Sequence, residues 1–146
     1  MMFRRLSAYQ VIEVLLAAAV AGIFIYASYL KIIEPEEFAR SIRNYKILPI
    51  PLINLVAIFL PWWEMAAGIA ILIPYLRRSA SVLTLMMGVM FILAVTSAMV
   101  RGLDIECGCF GNKSSRAGLE TLLVDAFIVI SSSMILVLSK KRPNST

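Results

Sequence analysis

Four apolar blocks, each about as long as a helix needs to cross a bilayer, dominate this chain: 9–33, 51–75, 79–100 and 119–138. About 20 residues at 1.5 Å rise cover a hydrocarbon core of roughly 30 Å. Lipid offers the backbone no partners, so only helices or closed barrels cross it. The blocks lack strict alternation, which selects helices over strands. The chain is 60% hydrophobic and only 16% charged, too little charge for a soluble domain of 146 residues. The expected fold is an all-α membrane bundle of four transmembrane helices, forming one domain over 1–146.

The first block follows Arg4 and Arg5. It exceeds the h-region of a signal peptide and has no small-residue cleavage site behind it, so an uncleaved span is expected. Between the first two blocks, Pro35-Glu36-Glu37 has the form of a helix start: proline suits the first turn and acids suit the positive dipole end. Phe38, Ile42 and Tyr45 then recur on one helical face. They predict a short amphipathic helix on the membrane surface or across the mouth of the bundle.

Four spans put both termini on one side. Lys and Arg are equally numerous on the two sides. The terminal-side cations cluster beside the spans without acids, whereas Glu34, Glu36, Glu37, Asp104, Glu106 and Glu120 accompany those opposite. The positive-inside rule then places both termini in the cytoplasm of a bacterial inner membrane, and the 101–117 loop outside. The formal charge of +5 is spread over span ends rather than gathered in a stripe, which argues against nucleic acid.

The loop before the last block reads Glu106-Cys107-Gly108-Cys109-Phe110-Gly111 and holds the only two cysteines. Redox exchange, metal binding and a static staple all use such pairs. A closed zinc site wants four ligands, and the chain has no histidine. As a staple, so small a ring is weak: loop entropy gives ~1.6 kcal/mol for about three residues against ~3 for fifteen. A short, strained disulfide is easier to reduce. The spacing therefore favours thiol–disulfide exchange, with Cys107 and Cys109 as attacking and resolving thiols and Gly108 permitting the bend.

Two carboxyls lie within the spans. Glu64 sits in mid-block after Pro61, Trp62 and Trp63. An intramembrane carboxyl is costly and points to function, or else it bonds a neighbouring helix. Pro61 cannot donate to the carbonyl of Ala57, which adds a polar spot nearby. Asp125 lies about two turns into the last block, in reach of thiol chemistry or of an ion pair with Lys31 or Arg101. Glu13 is expected to reach headgroups. Trp62 and Trp63 are weak candidates for a cofactor pocket, and a quinone there would complete an oxidase circuit; packing is the plainer role. Met86, Met87, Met90 and Met99 suit adaptable packing.

Read together, three segments resemble a known family. The stretch from Lys31 to Pro49, the run Leu60-Pro61-Trp62-Trp63-Glu64-Met65-Ala66-Ala67-Gly68, and Cys107-Gly108-Cys109-Phe110-Gly111 followed by Leu123-Val124-Asp125 are similar to DoxX-like membrane proteins of the MauE branch. The resemblance covers about 18–138. It implies a four-helix bundle that assists maturation of methylamine dehydrogenase, a disulfide-rich periplasmic enzyme, beside a thioredoxin-like partner. An arginine usual before the aspartate is replaced here by Val124. The residues and the resemblance together give an integral membrane thiol–disulfide redox protein working with an extracytoplasmic thioredoxin-like partner. A non-catalytic assembly or anchoring subunit and a small transporter coupled to protons through Glu64 and Asp125 are the alternatives.

Overall fold

A computed structural model describes residues 8–103 and 117–140. Five helices follow in order: α1 (Ala8–Ile33), α2 (Pro35–Asn44), α3 (Ile50–Ala70), α4 (Arg77–Val100) and α5 (Ala117–Lys140). No strand occurs among the described residues. α1, α3, α4 and α5 are each long and apolar enough to cross a membrane, so the chain is a multi-pass membrane protein. Large apolar side chains such as Leu15, Leu55, Leu93 and Leu123 point outward, as helices solvated by lipid tails require.

The buried face of α1 runs Ala17, Val20, Ala21, Phe24, Ser28 and Lys31. Steps of three and four keep these residues on one side of a 3.6-residue helix. They pack against α3, where Gly68 permits close approach: a Cβ there would lie 3.1 Å from Phe24 Cβ and 3.4 Å from the carbonyl of Ala21. Gly88 plays the same part between α4 and α5, against Val129 and Ile128. Across that second seam the hydroxyls of Thr84 and Ser132 share a hydrogen bond of 2.9 Å. Small residues at close crossings and polar bonds between helices hold membrane bundles together, because lipid supplies no hydrophobic drive.

The short helix foreseen after the first span is α2. Glu34 breaks the chain with φ −121° and ψ 65°, and Pro35 restarts it. Its exposed side carries Glu36, Glu37, Arg40 and Arg43. Phe38 and Ser41 are buried, and α2 packs mainly against α3.

Two boundaries and one residue role depart from the sequence reading. The second span stops at Ala70 rather than near residue 75. Residues 71–76 turn, and α4 begins at Arg77 instead of residue 79. The reason is Arg77. Its Nε donates to the carbonyl of Ile71 at 3.1 Å and its Nη2 to that of Leu72 at 3.3 Å, serving carbonyls that the end of α3 leaves open. Its Nη1 lies 3.4 Å from Glu13 Oε1. Glu13 is thus buried against a cation and does not reach headgroups. At the opposite end, α4 closes on Gly102, whose φ of +63° suits the left-handed position that ends a helix. Leu103 N–H then bonds Ala98 O and Gly102 N–H bonds Met99 O, the paired pattern of a Schellman stop.

Candidate functional site

Lys31 stands at the last buried position of α1, one helical step beyond Ser28. Its ammonium donates to both oxygens of Glu64 on α3, at 2.7 Å to Oε1 and 2.9 Å to Oε2. Both side chains are 2% exposed. The ammonium also lies 5.0 Å from the ring centres of Phe38 on α2 and Phe91 on α4. Aromatic faces stabilise a desolvated cation by roughly 2 kcal/mol or more. Four helices therefore converge on one charge.

This pair forms one wall of a cavity of about 750 Å³. Asp125 and Thr121 enter it from α5, beside Val124 and Ile128. Phe38, Ser41, Ile42 and Tyr45 enter from α2, so all three residues of the amphipathic face found in the sequence line it. Ile47, Leu55, Phe59 and Trp63 line it and are also exposed, as is Met90 on α4. Its mouth therefore lies between the outward stripe of α3 and α4, on the side that faces lipid.

Depth follows from helix rise. Lys31 is 18 residues from Glu13, ~27 Å along α1, so the Lys31–Glu64 and Glu13–Arg77 pairs lie at well-separated levels of the bundle. Asp125 is eight residues from the start of α5 at Ala117, about 12 Å. The cavity thus lies toward the end of the bundle where α4 stops and α5 begins.

Of the residues singled out from sequence, Glu64 and Asp125 meet in this cavity. Trp63 lines its mouth. Trp62 is 61% exposed and is not among the lining residues, so the two tryptophans do not form one pocket wall. Cys107 and Cys109 lie outside the described residues. The sequence offers Lys31 as a partner for Asp125 and does not foresee its two-point bond to Glu64. The signal was available in the spacing, because residue 31 continues the buried 17, 21, 24, 28 series. Arg77 does not stand out in the sequence, where Arg77-Arg78 is a pair of cations beside the third block.

Chemically, the cavity offers one ammonium donor, two carboxyls and three hydroxyl-bearing residues, Ser41, Tyr45 and Thr121, in apolar surroundings. Low dielectric strengthens each of these interactions and makes an unmet one expensive. Among the described residues, no group of three His, Cys, Asp or Glu is placed to hold a metal ion.

The family model for "Methylamine utilisation protein MauE" matches residues 9–139. The chain belongs to the MauE family. Similar proteins include the methylamine utilization protein MauE of Methylophilus methylotrophus, 34% identical over 97 residues, which are 66% of this chain and 51% of that protein. The MauE protein of Paracoccus denitrificans is 32% identical over 93 residues, 63% of this chain and 50% of its own. That of Methylorubrum extorquens is 30% identical over 95 residues, 64% of this chain and 50% of its own. The chain's matches thus span about half the length of these curated MauE proteins. No solved structure gives a significant match. The MauE match agrees with the family resemblance read from the motifs and with the four apolar helices.

Proposed function

We propose that this MauE-family protein is a membrane thiol–disulfide redox protein. Cys107 and Cys109 exchange a disulfide with an extracytoplasmic, thioredoxin-like partner, and the pair of equivalents passed on serves maturation of secreted enzymes. The observation that carries this reading is the Cys107-Gly108-Cys109 spacing, holding the chain's only two thiols, in the loop between its last two spans. The names of the relatives place those proteins in methylamine utilization; a corresponding part for this chain is the maturation of a disulfide-containing enzyme outside the cytoplasm. The proposed orientation has both termini cytoplasmic in a bacterial inner membrane.

A mixed-disulfide trap tests the reading. Cys107→Ser or Cys109→Ser alone should hold a thiol protein in a complex that reductant releases, and mass spectrometry should identify an extracytoplasmic protein. A pair that stays reduced under oxidants, with neither variant capturing a partner, would overturn it and leave a non-catalytic assembly subunit.

The meeting of Glu64 and Asp125 in one cavity favours a second reading, a small proton-coupled transporter. It requires solute uptake that Asp125→Asn abolishes and that the cysteine variants leave intact.

A further inference from the structure

We propose that the cavity around Lys31, Glu64 and Asp125 binds a lipophilic organic cation, an ammonium- or phosphonium-like charge on an apolar body. This goes beyond disulfide exchange. It concerns binding alone, so it stands or falls separately from any transport.

Charge on the cavity wall is unbalanced. Four titratable side chains line it among the described residues: Lys31 on α1, Tyr45 at the end of α2, Glu64 on α3 and Asp125 on α5. The lining residues of α4, such as Met90 and Phe91, carry no charge. Lys31, Glu64 and Asp125 are all buried. One ammonium therefore faces two carboxyls, and Glu64 already takes that ammonium at both oxygens. A buried charge without a counter-charge costs several kcal/mol. A proton on one carboxyl balances the set, and so does one further cation that enters in its place. An anionic ligand adds to the excess, and a neutral one leaves it as it is.

The apolar walls select the body of that cation. Lys31 shows how they hold one, with its ammonium 5.0 Å from the ring centres of Phe38 and Phe91. Aromatic faces attract cations, more strongly where water is excluded. Tyr45, Phe59 and Trp63 add further rings around the same space. A metal ion is a poor match: the lining is mostly apolar, and no group of three His, Cys, Asp or Glu is gathered among the described residues. Leu55, Phe59, Trp63 and Met90 are exposed at the mouth, so the ligand arrives from the hydrocarbon phase and must carry an apolar body. The volume of about 750 Å³ suits a drug-sized molecule.

Tetraphenylphosphonium and tetraphenylborate test the proposal, because they share a shape and differ in the sign of their charge. Each is titrated separately by calorimetry into the full-length protein in phosphatidylcholine nanodiscs, and the heats with empty nanodiscs are subtracted. Tetraphenylphosphonium should bind saturably, and tetraphenylborate should not. Asp125→Asn removes the excess acid in nearly the same volume. It should weaken phosphonium binding at least ~10-fold, a loss of about 1.4 kcal/mol. Ala94→Phe, which narrows the cavity from α4, should weaken it as much. Circular dichroism checks that each variant folds. If Ala94→Phe fails that check, Val56→Phe narrows the cavity from α3 and decides instead. If Asp125→Asn fails it, the borate comparison decides the charge selection. Phosphonium binding that never saturates, or that a folded narrowed variant retains in full, would overturn the site. Equal affinity for the borate, or full phosphonium affinity in folded Asp125→Asn, would overturn the choice of a cation.

Discussion

Lys31 and Glu64 form a two-point ion pair inside the bundle, at 2.7 and 2.9 Å, joining the end of α1 to the middle of α3. Desolvating two charges costs several kcal/mol per ion, and their attraction repays it only while both are present. Lys31→Met or Glu64→Leu alone should each destabilise the protein by about 3–5 kcal/mol, because the remaining charge is stranded. The double variant should recover most of that loss. Unfolding in mixed micelles with increasing SDS measures the cycle. Additive losses in the double variant would mean that the two charges do not depend on one another. Glu64→Gln belongs to the same test. It keeps the shape and removes the counter-ion, so it should behave as a destabilised variant rather than as a silent one.

Arg77 should prove more specific than its charge. It holds two carbonyls at the end of α3 as well as Glu13. Lysine keeps the cation but lacks the planar fork that reaches several acceptors. Arg77→Lys should therefore be nearly as destabilising as Arg77→Met, each by about 2–3 kcal/mol. At 3.4 Å the Glu13 contact is the longer of the two buried pairs, so removing Arg77 should cost less than removing Lys31. Full rescue by lysine would show that the carbonyl contacts contribute little.

The glycine crossings should resist even one extra carbon. A Cβ at Gly68 meets Phe24 Cβ at 3.1 Å, an atom attached to the backbone that cannot swing away. Gly68→Ala should cost about 1–3 kcal/mol through overpacking. At Gly22, a Cβ meets nothing within 4 Å, and Gly22→Ala should be neutral or slightly stabilising. The same SDS titration compares the two. Equal effects would mean that the α1–α3 crossing is looser than the distances indicate.

Topology carries its own test. In the proposed orientation, membrane-impermeant maleimide on intact cells should label reduced Cys107 or Cys109, while tags on either terminus stay protected. Labelling that appears only after the membrane is opened would reverse the orientation and remove the oxidising compartment that the disulfide reading needs.

The amphipathic face of α2 was legible because Phe38, Ile42 and Tyr45 alternate with charge at helical spacing. The spans were legible because hydropathy over about 20 residues is a local property. Glu64 and Asp125 stood out because carboxyls are rare in such segments. Their partners were harder to see. A helix apolar on every side carries little amphipathic signal to say which way it is turned. Lys31 and Arg77, each beside a span end, look in sequence like cations bound for headgroups.

Composition and block length by themselves determined a four-span membrane bundle with one polar cysteine loop, and the motifs identified the MauE family. Only the tertiary structure decided that Lys31 turns inward to Glu64, that Glu13 meets Arg77, and that Glu64 and Asp125 share one cavity. The physical reason is register. Lipid accepts any apolar face, so helix rotation and depth are set by contacts between helices distant in sequence, such as Gly68 on Phe24 and Thr84 on Ser132.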